Sequence, residues 1–155
     1  MLDEARVTAV DDAIVNGRIS MVVQNITSTS LPQDVLYGEC CACLFDTDGT
    51  FHRASEFIPN LEALGATPFL DRHVLNLASD QLDTNTAVNL GCNVSVDNMS
   101  DTDSWASIYN QIASRSHLAS RLKSAFCRTC SNNSNNVKRA FQRPCGKVRP
   151  ISPMW

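Results

Sequence analysis

No stretch of this chain approaches the about 18 consecutive apolar residues that a membrane-spanning helix requires, which excludes a helical membrane protein. The N-terminus, MLDEARVTAVDDA, lacks a basic segment ahead of an apolar one, and this predicts no secretory leader and a cytoplasmic location. Acidic residues are missing beyond Asp103, whereas nine of the 13 lysines and arginines lie at or after Arg115. The final third therefore offers no carboxylate to hold a hard cation. Cysteine is plentiful, with seven residues, but the number is odd and no leader accompanies it, so reduced thiols are expected rather than a disulfide framework. At 155 residues, 43% hydrophobic and 19% charged, the chain has the composition of one soluble globular domain long enough for a sizeable core.

The periodicities predict an α/β order. Residues 3–16 carry Val7, Val10, Ile14 and Val15 at the spacing of a short amphipathic helix that ends near Gly17. A strand follows at 19–23, then a Ser/Thr-rich loop with Pro32 at 27–34, then an apolar strand at 35–45 read as buried on both faces. Asp46-Thr47-Asp48-Gly49 is a turn, Ser55 caps a helix over 55–63, and Gly65 stops it. Val74, Leu75, Leu77, Ala78 and Leu82 give the helix at 71–82 one buried face. Strand, helix and strand recur around 86–96, and a helix over 104–122, with Trp105, Ile108, Ile112 and Leu118 on one face, leads to the next strand.

The segment 37–75, YGECCACLFDTDGTFHRASEFIPNLEALGATPFLDRHVL, carries the most information. Glu39 ends a strand, Asp48-Gly49 makes a turn, and Glu56-Phe57-Ile58-Pro59, Leu64-Gly65 and Leu70-Asp71-Arg72-His73-Val74-Leu75 follow at fixed intervals. This series resembles the opening of the EAL family, bacterial phosphodiesterases that open cyclic di-GMP to the linear dinucleotide. The resemblance implies a (β/α) TIM-type barrel, of which residues 1–122 would form the N-terminal part. It also implies Mg or Mn held by Glu39 and by Asn93 of Asn93-Val94-Ser95, and contacts to cyclic di-GMP at Gln24, Cys43 and Asp71.

The same comparison marks departures. The family signature Glu-Ala-Leu-x-Arg reads Glu39-Cys40-Cys41-Ala42-Cys43 here, so the arginine that contacts the dinucleotide is replaced by a thiol without its fork of donors. Asn25 stands where the family has proline after Gln24. Beyond Leu122 neither the second metal-binding glutamate nor the Asp-Asp-Phe-Gly, lysine and final glutamate segments are found. Residues 123–155 read instead as a basic tail, disordered or produced by a shifted reading frame. The resemblance thus implies a truncated, degenerate domain with catalysis lost and no confident catalytic residue. The alternative is a non-catalytic module that binds cyclic di-GMP weakly or docks on a signalling partner, as a homo- or hetero-oligomer formed through the exposed barrel edge.

Residues taken singly leave other readings open. Gln24 closing a strand suits a structural hydrogen bond as well as a ligand, and Asn93 suits a turn as well as a metal. His52, His73 and His117 are scattered and offer no general base. Cys127-x-x-Cys130 with Cys145 and His117 lacks the second ligand pair of a zinc site. Lys138-Arg139 and Arg143 beside Phe141 lie in no recognisable nucleic-acid module, so neither nucleic acid nor membrane is an expected partner.

Overall fold

A computed structural model describes residues 4–127, an open mixed sheet with its helices packed on one side. Helix α1 (Glu4–Val15) leads into β1 (Ile19–Thr27), which pairs antiparallel with β2 (Val35–Phe45). The short β3 (Phe51–Arg53) turns back onto β2, and α2 (Ala54–Ala63) and α3 (Thr67–Thr84) carry the chain to β4 (Leu90–Ser95). Helices α4 (Asp97–Ser100) and α5 (Thr102–Ser114), then a single 3-10 turn at Ser116–Leu118, lead to β5 (Leu122–Cys127). The order is β1-β2-β4-β5, with β2, β4 and β5 parallel and joined by helical crossovers, the repeating unit of a (β/α) barrel. The sheet does not close. The edge of β2 away from β1 is shared by two partners, since β4 pairs along Gly38–Cys40 and β3 along Cys43–Phe45.

The core lies between sheet and helices. Leu70, Val74, Leu75, Ala78 and Leu82 line the inner stripe of α3, where Leu70–Val74, Val74–Ala78, Leu75–Ala78 and Ala78–Leu82 are three or four residues apart as a helix face requires. They pack with Cys40, Ala42 and Leu44 of β2, Leu90, Cys92 and Val94 of β4, and Phe57 and Leu61 of α2. Each fully buried leucine contributes about 1.5–3 kcal/mol of transfer free energy. The C-terminus of α3 is tied to β5 by Arg121, whose guanidinium donates to the carbonyls of Leu82 and Asn85, each at 2.9 Å.

Several sequence expectations are corrected. β2 is not buried on both faces: Cys40, Ala42 and Leu44 are covered by helices, but Glu39 and Cys41 on the other face are only half-buried. Helix α2 starts one residue earlier than predicted and is not capped by Ser55; its N-cap is Arg53, whose backbone N–H is accepted by Glu56 Oε1 at 3.1 Å. Helix α3 begins at Thr67 with Pro68 in its first turn, where a missing N–H costs nothing. The helix expected over 104–122 ends at Ser114, and its expected apolar stripe is broken, with Trp105 exposed and Ile108 buried. In α1 the buried positions are Val10 and Ala13, while Val15 is exposed. The boundary placed after Leu122 falls inside β5, which runs on to Cys127 in parallel register with β4. The readings made for the rest of the tail, including Cys130, Cys145 and the Lys138-Arg139 group, lie outside the described residues.

Candidate functional site

Register decides which side chains share the open face. Gln24 of β1 is opposite Glu39 of β2, and Glu39 is opposite Gly91 of β4, so Asn93, two residues on, lies on the same side as both. The amide Nδ2 of Asn93 donates to Glu39 Oε1 at 2.8 Å. Three of the predicted site residues, from three strands, therefore stand side by side. Gly91 is required beside them, since a Cβ there would lie 2.6 Å from the Tyr37 ring.

Asp71 reaches the same region from α3. Its Oδ2 accepts the Ser95 N–H and Asn98 Nδ2, both at 2.7 Å. Burial pushes its carboxyl up to about 6; the two hydrogen bonds oppose that rise and the neighbouring Asp97 charge adds to it. The Thr67 hydroxyl donates to Asp97 Oδ2 at 3.0 Å and lies 3.2 Å from the Ser95 hydroxyl, so the end of β4 is stitched to α3 by polar side chains. Asp71, Asn93, Ser95, Thr67 and Cys41 help to line a cleft of about 300 Å³. Asn98, fully buried, leaves its Oδ1 without a protein partner.

Cys43 is only 2% exposed and sits in register with Arg53 on one side and Ser20 on the other. It contributes to a second cleft, of about 440 Å³, with Gln24, Cys41 and Arg53. Burial pushes the Cys43 thiol up, and burial together with the Glu39 charge raises Cys41 to about 11. Cys40 faces Cys92 across β2 and β4, and the hydrogen bond to Cys40, followed by burial, pushes the Cys92 thiol up. These shifts favour the neutral thiol at positions 41, 43 and 92.

The donor set does not fit a two-metal centre. Glu39 and Asn93 supply two oxygen-bearing side chains, whereas Mg requires about six oxygens in near-octahedral array. On β5 the residue in register with Asn93 is Ala125, which has no side-chain donor atom. Among the described residues no three His, Cys, Asp or Glu side chains gather as a metal site. The network of Thr67, Ser95, Asp97 and Asn98 around Asp71 was not anticipated from sequence, because its hydrogen bonds span 24 to 30 residues and no local pattern announces them.

No protein-family model matches the chain, and no curated protein matches it either. Solved structures do. The S helix-GGDEF-EAL segment of Vibrio cholerae LapD, bound to c-di-GMP, superposes with a TM-score of 0.70 at 21% identity, over 78% of this chain and 29% of that one. The Xanthomonas citri FimX EAL domain in complex with c-di-GMP gives 0.65 at 18% identity, over 82% of this chain and 50% of that one. An EAL domain protein from Listeria monocytogenes gives 0.61 at 15% identity, over 77% and 48%. The chain spans half or less of the length of the structures it matches. Its described residues therefore have the fold of part of an EAL domain, an open portion of the (β/α) barrel.

Proposed function

We propose that this chain is a degenerate EAL-type module, descended from a cyclic di-GMP phosphodiesterase, that has lost hydrolysis and retains weak binding of the dinucleotide in bacterial, cytoplasmic second-messenger signalling. The observation that carries this reading is the alignment of Gln24, Glu39 and Asn93 on three adjacent strands beside the Asp71 cleft. In-line hydrolysis by divalent cations needs both an activated water and a stabilised leaving oxygen. Glu39 and Asn93 alone do not hold the ions for that work, so no hydrolytic step is assigned to them. What remains is recognition: an amide at Gln24, an amide and carboxylate at Asn93 and Glu39, and the Asp71 carboxyl.

The exposed hairpin favours a second role beside this one. Val22, Val23, Val35 and Leu36 are all between 37% and 48% exposed, on strands at one margin of the sheet. Nothing among the described residues pairs with the outer edge of β1, and an open apolar edge suits docking of another chain.

The test combines turnover and binding. Purified full chain with Mg or Mn is expected to release no linear dinucleotide, yet to bind cyclic di-GMP saturably, with affinity reduced in Glu39→Ala. Turnover that disappears in Glu39→Ala would show that catalysis persists; absence of saturable binding would remove the ligand-binding role.

A further inference from the structure

Five arginines have described side chains, and four of them are engaged. Arg18 pairs with Asp12, Arg72 lies 4.9 Å over the Phe69 ring, Arg115 pairs with Asp80 at 2.6 Å, and Arg121 holds the end of α3. Arg53, the fifth, is exposed, and its charge acts on Glu56, whose carboxylate it helps to hold below the usual range. Glu56, the nearest acid in sequence, is occupied by His52 Nδ1 at 3.1 Å and by the Arg53 backbone N–H.

Position makes this exposed cation informative. Arg53 closes β3 directly opposite Cys43, so the two side chains stand on one face of the sheet, and both line the cleft that Gln24 and Cys41 share. We infer that Arg53 is the anion anchor of this cleft, taking a phosphodiester oxygen of the nucleotide from the neighbouring strand where Cys43 offers no donor fork. A guanidinium presents paired N–H groups that match two phosphate oxygens, whereas a buried neutral thiol is a weak single donor. The inference rests on the proposed function, in that the occupant is taken to be a cyclic dinucleotide.

Calorimetric titration of the full chain with cyclic di-GMP tests it. Arg53→Ala is expected to weaken binding about ten- to a hundredfold, the loss of one charge-assisted contact, and Arg53→Lys less, since a point charge survives without the fork. The salt dependence of affinity should shallow in Arg53→Ala. Cys43→Arg added to Arg53→Ala should restore affinity if the guanidinium can be supplied from either strand. Arg53 is exposed, so unchanged melting of Arg53→Ala separates a binding loss from a folding loss. Native binding with equal affinity in Arg53→Ala overturns the anchor and leaves the proposed function standing. No binding by the native chain overturns both.

Discussion

The two faces of β2 have had different fates. On the helix side, Cys40, Ala42 and Leu44 are all buried against α3 and its neighbours, and each is an apolar residue of a size the core can close around. On the open side, Glu39 and Cys41 are half-buried, and Glu39 accepts a hydrogen bond from the Asn93 amide. The fold persists at 21% identity or less to the solved EAL structures. The packed face carries most of the strand's buried residues, and the other face is freer to vary without a change of fold. Close-packed interiors resist change in volume, whereas a solvated face constrains chiefly through its ligands.

Four substitutions sharpen the contrast, beginning with the helix side. Leu75 is 0% exposed, and Leu75→Ala should cost about 2–5 kcal/mol, read as a lower urea midpoint at constant m-value. If it costs no more than a surface change, the core does not hold the sheet. Asp71 comes next, because its folded-state pKa of about 6 exceeds the ordinary value of 3.8. A raised carboxyl binds its proton more tightly in the folded state, so its contribution is greatest below about pH 4 and declines as pH rises through about 6. The difference is on the order of 3 kcal/mol. Asp71→Asn should flatten that decline, and thermal melts of both proteins between pH 4 and 7 check it.

On the open side the expected effects on stability are smaller. Glu39→Ala removes one acceptor from the Asn93 amide and should cost about 1 kcal/mol or less, while ligand affinity falls well beyond that. A large stability loss with unchanged affinity would reverse the roles of the two faces. The smallest effect belongs to His52, which lies 2.7 Å from Asp46 and 3.1 Å from Glu56. Its hydrogen bonds to Asp46 and then Glu56 raise its pKa above 6.5, so its support is complete below that value and is lost as pH climbs through the higher folded one. His52→Gln should lower the melting temperature slightly below pH 6 and leave it unchanged near pH 8.5, so that the fall between these values disappears.

The legible parts of the chain were those encoded locally. The 35–45 strand, the loop before it and the buried stripe of α3 follow from apolar spacing that the structure repeats nearly residue for residue. The grouping of Gln24, Glu39 and Asn93 came from the motif resemblance and depends on strand register, which spacing alone does not state. Two kinds of feature escaped. Helix ends were misplaced where polar residues such as Ser114 and Arg115 interrupt a pattern without a glycine or proline to announce it. β5 was hidden because LKSAFC has no strong alternation and gains its strand conformation from β4 beside it. Arg53 escaped for a related reason, since its neighbour Cys43 is ten positions away along the chain and adjacent only through the β2–β3 turn.

The anchorage of Arg121 on the last carbonyls of α3 gives the molecule a built-in docking port for reconstruction. It sets where β5 starts, and β5 then runs beside β4 until Cys127 stands opposite Ser95. A designer who wished to add strands beyond β5, by fusion or by supplying them as a separate fragment, would inherit a splice point already in register, with its direction fixed.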